Sequence, residues 1–189
     1  GGPTFNDVGG GLLTVRNSTV SSPAHAGGAS FYTFCSINCD VTQIHFGPNN
    51  VAVIRGIGWG VLAGPGAVQA LGGAEIVPLF VGETGARLVG AVVGTLNLAP
   101  GTALSNSINS DNVSGVYSAF GGTTNLGEGS SILLGGASGL RGVVADGAPA
   151  GGNRSSVNGQ NLAITVDGPS SNGGQALQGG VVNRRNGRT

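Results

Sequence analysis

A chain of 189 residues is long enough for one domain with a real core, or at most two small ones. Eight Arg and no Lys balance eight Asp and Glu, so the formal charge is zero, and the only basic cluster is Arg184, Arg185 and Arg188, too little footprint for nucleic acid. Charged residues make up 8% against roughly 25% in ordinary soluble domains, and 39 residues are Gly, so little repulsion keeps copies apart while ordering the backbone costs extra entropy.

Burial against neighbouring copies would offset that cost, a first pointer to self-association. The sequence contains no Met, as expected of a processed chain or a fragment, and the start "GGPTF" fits removal of a secretory signal peptide. No uninterrupted apolar run reaches the roughly 18 residues of a membrane-spanning helix, so no membrane span is expected.

Helical periodicity is nearly absent, because Gly or Pro interrupts almost every stretch; short β-type runs follow one another instead. "LLTVRNSTV" (12–20) comes first, then "SFYTF" (30–34) and "VTQIHF" (41–46). The last two are expected to pair as a hairpin around "SIN", bringing Cys35 and Cys39 close enough for a disulfide and so implying an oxidising compartment. Zinc is the competing use, since His25 and His45 flank the pair. Cys39 and His45, however, would lie about 20 Å apart along a strand, and no metal is expected.

"VAVIRGIGWGVL" (51–62) reads as one strand, with Ile57, Trp59 and Val61 in phase on one face and Gly56, Gly58 and Gly60 bare on the other. Gly58 to Ala63 also matches the G-x-G-x-x-A form of a dinucleotide loop. Gly64-Pro65-Gly66 would break the helix such a loop opens, and no βαβ alternation surrounds it. A bare strand face calls for something packed closely on it. The candidates are rings of the same chain, such as Phe31, Phe34 or Phe46, or a strand of a neighbouring copy, which makes Gly56, Gly58, Gly60 and Trp59 a candidate packing or interface face.

"EIVPLFV" (75–81) and "ARLVGAVVGTLNL" (86–98) follow, the second with Gly90 and Gly94 sharing a face with Leu88 and Val92. "SGVYSAF" (114–120), "SSILLG" (130–135), "GLRGVVAD" (139–146) and "NLAITVD" (161–167) complete the series, separated by turns such as "APGT" and "DGAPAGGN". This pattern predicts one all-β domain over 1–167, an antiparallel β-sandwich of jelly-roll type, with 168–189 as a polar Gly-rich tail or subunit-linking extension. The alternative is a parallel β-helix, in which "GGGLLTVRNSTVSS" and "NGQNLAITVDG" would each make one coil. The absence of a fixed period weighs against it.

The lack of Lys excludes a Walker A loop, a pyridoxal Schiff base and a kinase lysine, and no G-x-S-x-G elbow occurs. Neither an enzyme nor a cofactor is expected. Asn17, Asn112 and Asn153 head N-x-S/T sequons, compatible with N-glycosylation of a secreted protein. The leading expectation is a secreted structural subunit that assembles into an extracellular filament, surface layer or shell. Assembly would run through β-strand contacts between copies, a terminal segment such as 1–20 or 175–189 completing the next sheet. One alternative is a carbohydrate-binding module using Trp59, Tyr32 and Tyr117, with glycans as partners; another is a viral coat or decoration protein. Core packing is the plainer reading of Trp59.

Overall fold

The strands of this chain pair in parallel and stack into coils, in a computed structural model that describes residues 5–8, 12–25, 27–34, 42–64, 67–70, 77–147 and 152–185. The first coil holds β1 (Phe5–Val8), β2 (Leu12–Val15) and β3 (Thr19–Ser21), and the second β4 (Ala29–Phe34), β5 (Thr42–Phe46) and β6 (Val51–Ile54). The third holds β7 (Trp59–Ala63), β8 (Ala67–Ala70) and β9 (Leu79–Gly82), and the fourth β10 (Arg87–Val92), β11 (Thr95–Leu98) and β12 (Ala103–Ser105). The fifth holds β13 (Ser114–Ala119), β14 (Thr123–Leu126) and β15 (Ser131–Gly135). The sixth holds β16 (Arg141–Asp146), β17 (Ser156–Gln160) and β18 (Ala163–Asp167), and β19 (Asn172–Leu177) and β20 (Val181–Arg185) follow.

Equivalent strands line up into three faces. The first is β1-β4-β7-β10-β13-β16-β19 and the second β2-β5-β8-β11-β14-β17-β20. The third is β3-β6-β9 followed by β12-β15-β18, joined by a bridge between Phe80 and Asn106. At that joint a side chain stands in for backbone: Gly82 N donates to Asn106 Oδ1 at 2.7 Å, and Asn106 Nδ2 donates to Gly82 O at 3.0 Å.

The antiparallel sandwich is therefore overturned, and the parallel β-helix describes the chain. Apolar-in, polar-out alternation cannot tell the two apart, because both bury one strand face. The missing period has a physical cause as well. Val89, Val116 and Val143 are spaced by 27 residues, but Phe31 and Val61 are 30 apart and Leu126 and Gly159 are 33 apart. The corners absorb the difference, as surface loops do. Several runs expected as single strands are two strands meeting at such a corner: 12–20 is β2 and β3, 51–62 is β6 and β7, and 86–98 is β10 and β11.

The hairpin around "SIN" also does not form, since β4 pairs with β1 and β7 while β5 pairs with β2 and β8. Cys35 and Cys39, and the disulfide expected between them, lie outside the described residues. Residues 172–177 and 181–185, expected as part of a polar tail, are β19 and β20, paired with β16 and β17. Among the described residues, no helix is long and apolar enough to cross a membrane.

Columns of aliphatic side chains fill the interior. Val61, Val89, Val116 and Val143 stack in register on the first face, and Leu104, Ile132 and Ile164 on the third, all buried. Each such side chain contributes roughly 1.5–3 kcal/mol. The narrow cross-section explains much of the glycine. Gly60, Gly115 and Gly142 point inward, where a methyl group would run into Phe80, Ile132 and Ile164 across the core.

On the second face, Gln43, Gln69, Asn97, Asn125, Asn158 and Asn183 share one register column. Asn125 donates to Asn97 at 2.7 Å, Asn158 to Asn125 at 2.8 Å and Asn183 to Asn158 at 2.8 Å. Parallel strands in register bring like amides one above another, which is what such a ladder needs.

A candidate ligand groove on the first face

The run 51–64 leads into the groove. A turn at Gly56 and Ile57, with Gly56 at φ 52°, separates β6 from β7, so Gly56, Gly58 and Gly60 do not form one bare face. Gly56 has no atom within 4 Å of where a side chain would start, Gly58 lies against Ser22 Oγ and two backbone carbonyls, and Gly60 lies against the Phe80 ring. The other face loses its phase as well, at the turn for Ile57 and inside β7 for Trp59 and Val61, where the register on both sides skips Gly60. Ile57 is 47% exposed, Val61 is in the core, and Trp59, only 3% exposed, packs outside the first face with Ala29 and Leu62.

Two rings on that outer surface lie over bare backbone. A methyl group at Gly90 would stand 2.5 Å from Trp59 Cζ3 and overlap the Tyr117 carbonyl oxygen; one at Gly64 would overlap the Tyr32 ring. Trp59 and Tyr117 meet edge to face, with centroids 5.7 Å apart. Arg87, in register with Trp59, lies between them, its Cζ 4.8 Å from the Trp59 centroid and 4.6 Å from that of Tyr117. Its Nη1 donates to the Ile57 carbonyl at 2.8 Å, which fixes the guanidinium there.

Tyr117 Oη donates to Asp146 Oδ2 at 2.6 Å from the neighbouring strand. The other carboxylate oxygen, Oδ1, is buried and has no hydrogen-bond partner among the described residues. A buried acceptor left in that state costs roughly 1–3 kcal/mol. Burial pushes the Tyr117 hydroxyl up to about 12; Asp146 adds to the rise, and Arg87 and Arg141 oppose it. Burial likewise lowers Arg87 and raises Tyr32 from their ordinary values.

At the lip stand two residues that the backbone alone does not favour. Val93 and Phe120 have φ of 58° and 50°, and they are 58% and 60% exposed. They follow Val92 and Ala119, which pair in register at the ends of β10 and β13. The left-handed region costs a non-glycine residue roughly 1–2 kcal/mol and is least suited to bulky or β-branched side chains. Glycine would satisfy the turn; Phe120 instead holds a ring in solvent.

Tyr32, Leu62, Arg87, Tyr117, Phe120 and Asp146 line a cavity of 560 Å³ with Trp59 beneath them. Two other concavities, of 690 and 550 Å³, lie elsewhere on the solenoid. The larger runs beside Asn125, Asn158 and Asn183, whose amides already bond one another. Among the described residues, aromatic rings and a buried, unsatisfied acceptor meet at the first-face groove and at a 240 Å³ hollow that Phe120 and Asp146 also line.

Of the residues singled out in the sequence, the groove brings together Trp59, Tyr32 and Tyr117. Asn17, Asn112 and Asn153 are exposed and do not line it, although Asn153 lies against Gly121, next to Phe120. Among the described residues, no three His, Cys, Asp or Glu side chains converge on a metal site. Arg87, Phe120 and Asp146 were missed. The signal that could have found them is the kinship of "VGAVVG" (89–94), "VYSAFG" (116–121) and "VVADG" (143–147), which sets Val92, Ala119 and Asp146 in one column.

Fold and groove together define a parallel β-solenoid with an aromatic-lined groove on one outer face. No known protein family matches the chain, and no curated protein or solved structure does so either.

Proposed function

We propose that the groove binds a polysaccharide and that the protein is a secreted carbohydrate-binding solenoid. The observation that carries this reading is a buried carboxylate oxygen without a partner among the described residues, beside an aromatic ring held in solvent by strained backbone. Sugars present both complements, hydroxyl donors at the ring edge and an apolar C–H face, and aromatic rings bind such faces while polar groups fix the edges. A cationic ligand fits less well, because Arg87 already occupies the space between Trp59 and Tyr117.

Binding rather than cleavage is the reading, since Asp146 is the one carboxylate among the described residues lining the groove and glycoside hydrolysis uses a pair. The exposure of Asn17, Asn112 and Asn153 at corners suits an extracellular location. Calorimetric titration with a panel of soluble polysaccharides tests the proposal, using the wild-type chain, Asp146→Asn and Phe120→Ala. Saturable binding to at least one polymer is expected, weakened about tenfold, or about 1.4 kcal/mol, by either substitution. Binding that neither substitution alters, or binding to none, would overturn it.

A further inference from the structure

We infer that the ligand is an anionic polysaccharide, bearing carboxylate or sulfate groups, laid along the solenoid axis with its acidic groups against Arg87 and Arg141. This rests on the groove reading above and adds the direction and charge of the chain bound there.

The direction comes from how the groove is lined. Tyr32, Leu62, Arg87, Tyr117 and Asp146 sit on β4, β7, β10, β13 and β16, one on each successive strand of the first face. Four strand spacings cover about 19 Å. A ligand running with the strands would touch one or two coils and miss most of these side chains. A ligand running across them meets a new strand at every sugar, because an extended pyranose repeat of about 5 Å nearly equals the strand spacing. About four sugars would then span Tyr32 to Asp146.

The charge comes from a register column. Arg87 pairs with Ser114, and Ser114 with Arg141, so the two arginines lie two strands apart, roughly 10 Å along the axis. Arg87 senses Arg141 as a like charge. Asp146 offsets only one of the two cations, and Tyr117 already occupies its Oδ2. A bound anion would relieve the remaining repulsion. In an extended chain with two-fold character every second sugar faces the same way, so its acidic groups recur at about two strand spacings, the separation of the arginines. The hydroxyls of the opposite edge would then face Asp146 Oδ1, and the sugar faces would lie against Tyr117 and Phe120.

The test is titration of the full chain with a polyuronate, a sulfated polysaccharide and a neutral glucan of similar length. At least one anionic polymer should bind ten times more tightly than the glucan, and which one does so identifies the acidic group. That preference should vanish in Arg141→Gln, survive in Arg141→Lys, and shrink as salt rises to about 0.5 M. Oligomers of the preferred polymer should gain affinity up to about four sugars and then level off. A glucan bound as tightly as both polyanions would overturn the charge assignment and leave the groove reading standing. A polyanion held equally well by Arg141→Gln would do the same. Affinity that levels off at two sugars would overturn the axial direction. Failure of all three polymers to bind would overturn this inference and the groove reading together.

Discussion

Phe120→Gly should leave stability almost unchanged while removing most of the binding. Phe120 sits at φ 50° with 60% of its surface in solvent. Moving to Gly releases roughly 1–2 kcal/mol of left-handed strain. Against that stand about 0.5–1 kcal/mol of extra backbone entropy and about 1 kcal/mol of lost burial, two-fifths of the value of a fully buried Phe. The sum is within about 1 kcal/mol of zero. Phe120→Ala keeps the strain and loses the burial, so it should be the less stable variant by roughly 1 kcal/mol. Urea unfolding followed by Trp59 emission measures both, with the m-value as a check that the transition is unaltered. Binding should fall about tenfold in both variants. A loss of more than about 2 kcal/mol in Phe120→Gly would refute the reasoning, because the ring would then be a packing element and not one presented to a ligand.

Three other substitutions probe the scaffold. Gly90→Ala places a methyl group onto the Tyr117 carbonyl oxygen and against Trp59, so it should cost about 3 kcal/mol or more and disturb the near-ultraviolet signal of Trp59; a loss below about 1 kcal/mol would mean the ring is not seated there. Asn125→Ala breaks the amide ladder in the middle, losing two hydrogen bonds, and should cost roughly 1–2 kcal/mol, while Asn183→Ala at its exposed end loses one and should cost less; equal costs would argue against a ladder. Tyr117 gives the pH dependence: its folded value is raised to about 12, so its stabilising effect is complete below its unfolded value near 10 and is lost as pH rises toward 12. At this half-buried site solvent screening reduces the effect to about 1 kcal/mol. Tyr117→Phe should flatten that loss, and identical alkaline profiles for the two proteins would contradict it.

What was legible in the sequence was local. The β-type runs and the turn-rich corners depend on neighbours within a few residues, whereas the rings seated on glycine, Phe80 on Gly60 and Trp59 on Gly90, come from 20 to 31 residues away. What was not legible was pairing. Val61 and Val89 alternate with their neighbours in the same way whether their strands run parallel or antiparallel, and corners of unequal length hide the coil repeat. The phase of 51–62 failed twice, at the Gly56-Ile57 turn and again between Trp59 and Val61 inside β7, so Trp59 is buried as expected but in a small cluster outside the first face. Asp146 was missed for the same reason: its meaning lies in Tyr117, 29 residues away.

The central claim is that the first-face groove is where a polysaccharide binds, and the chain's one Trp lies beneath it. Titrating Trp59 fluorescence with the preferred polysaccharide tests that claim most directly. The account predicts a saturable change in emission at the same midpoint as the calorimetric binding curve, weakened in Phe120→Ala. Calorimetric binding with Trp59 emission unchanged would put the ligand elsewhere on the solenoid and contradict it.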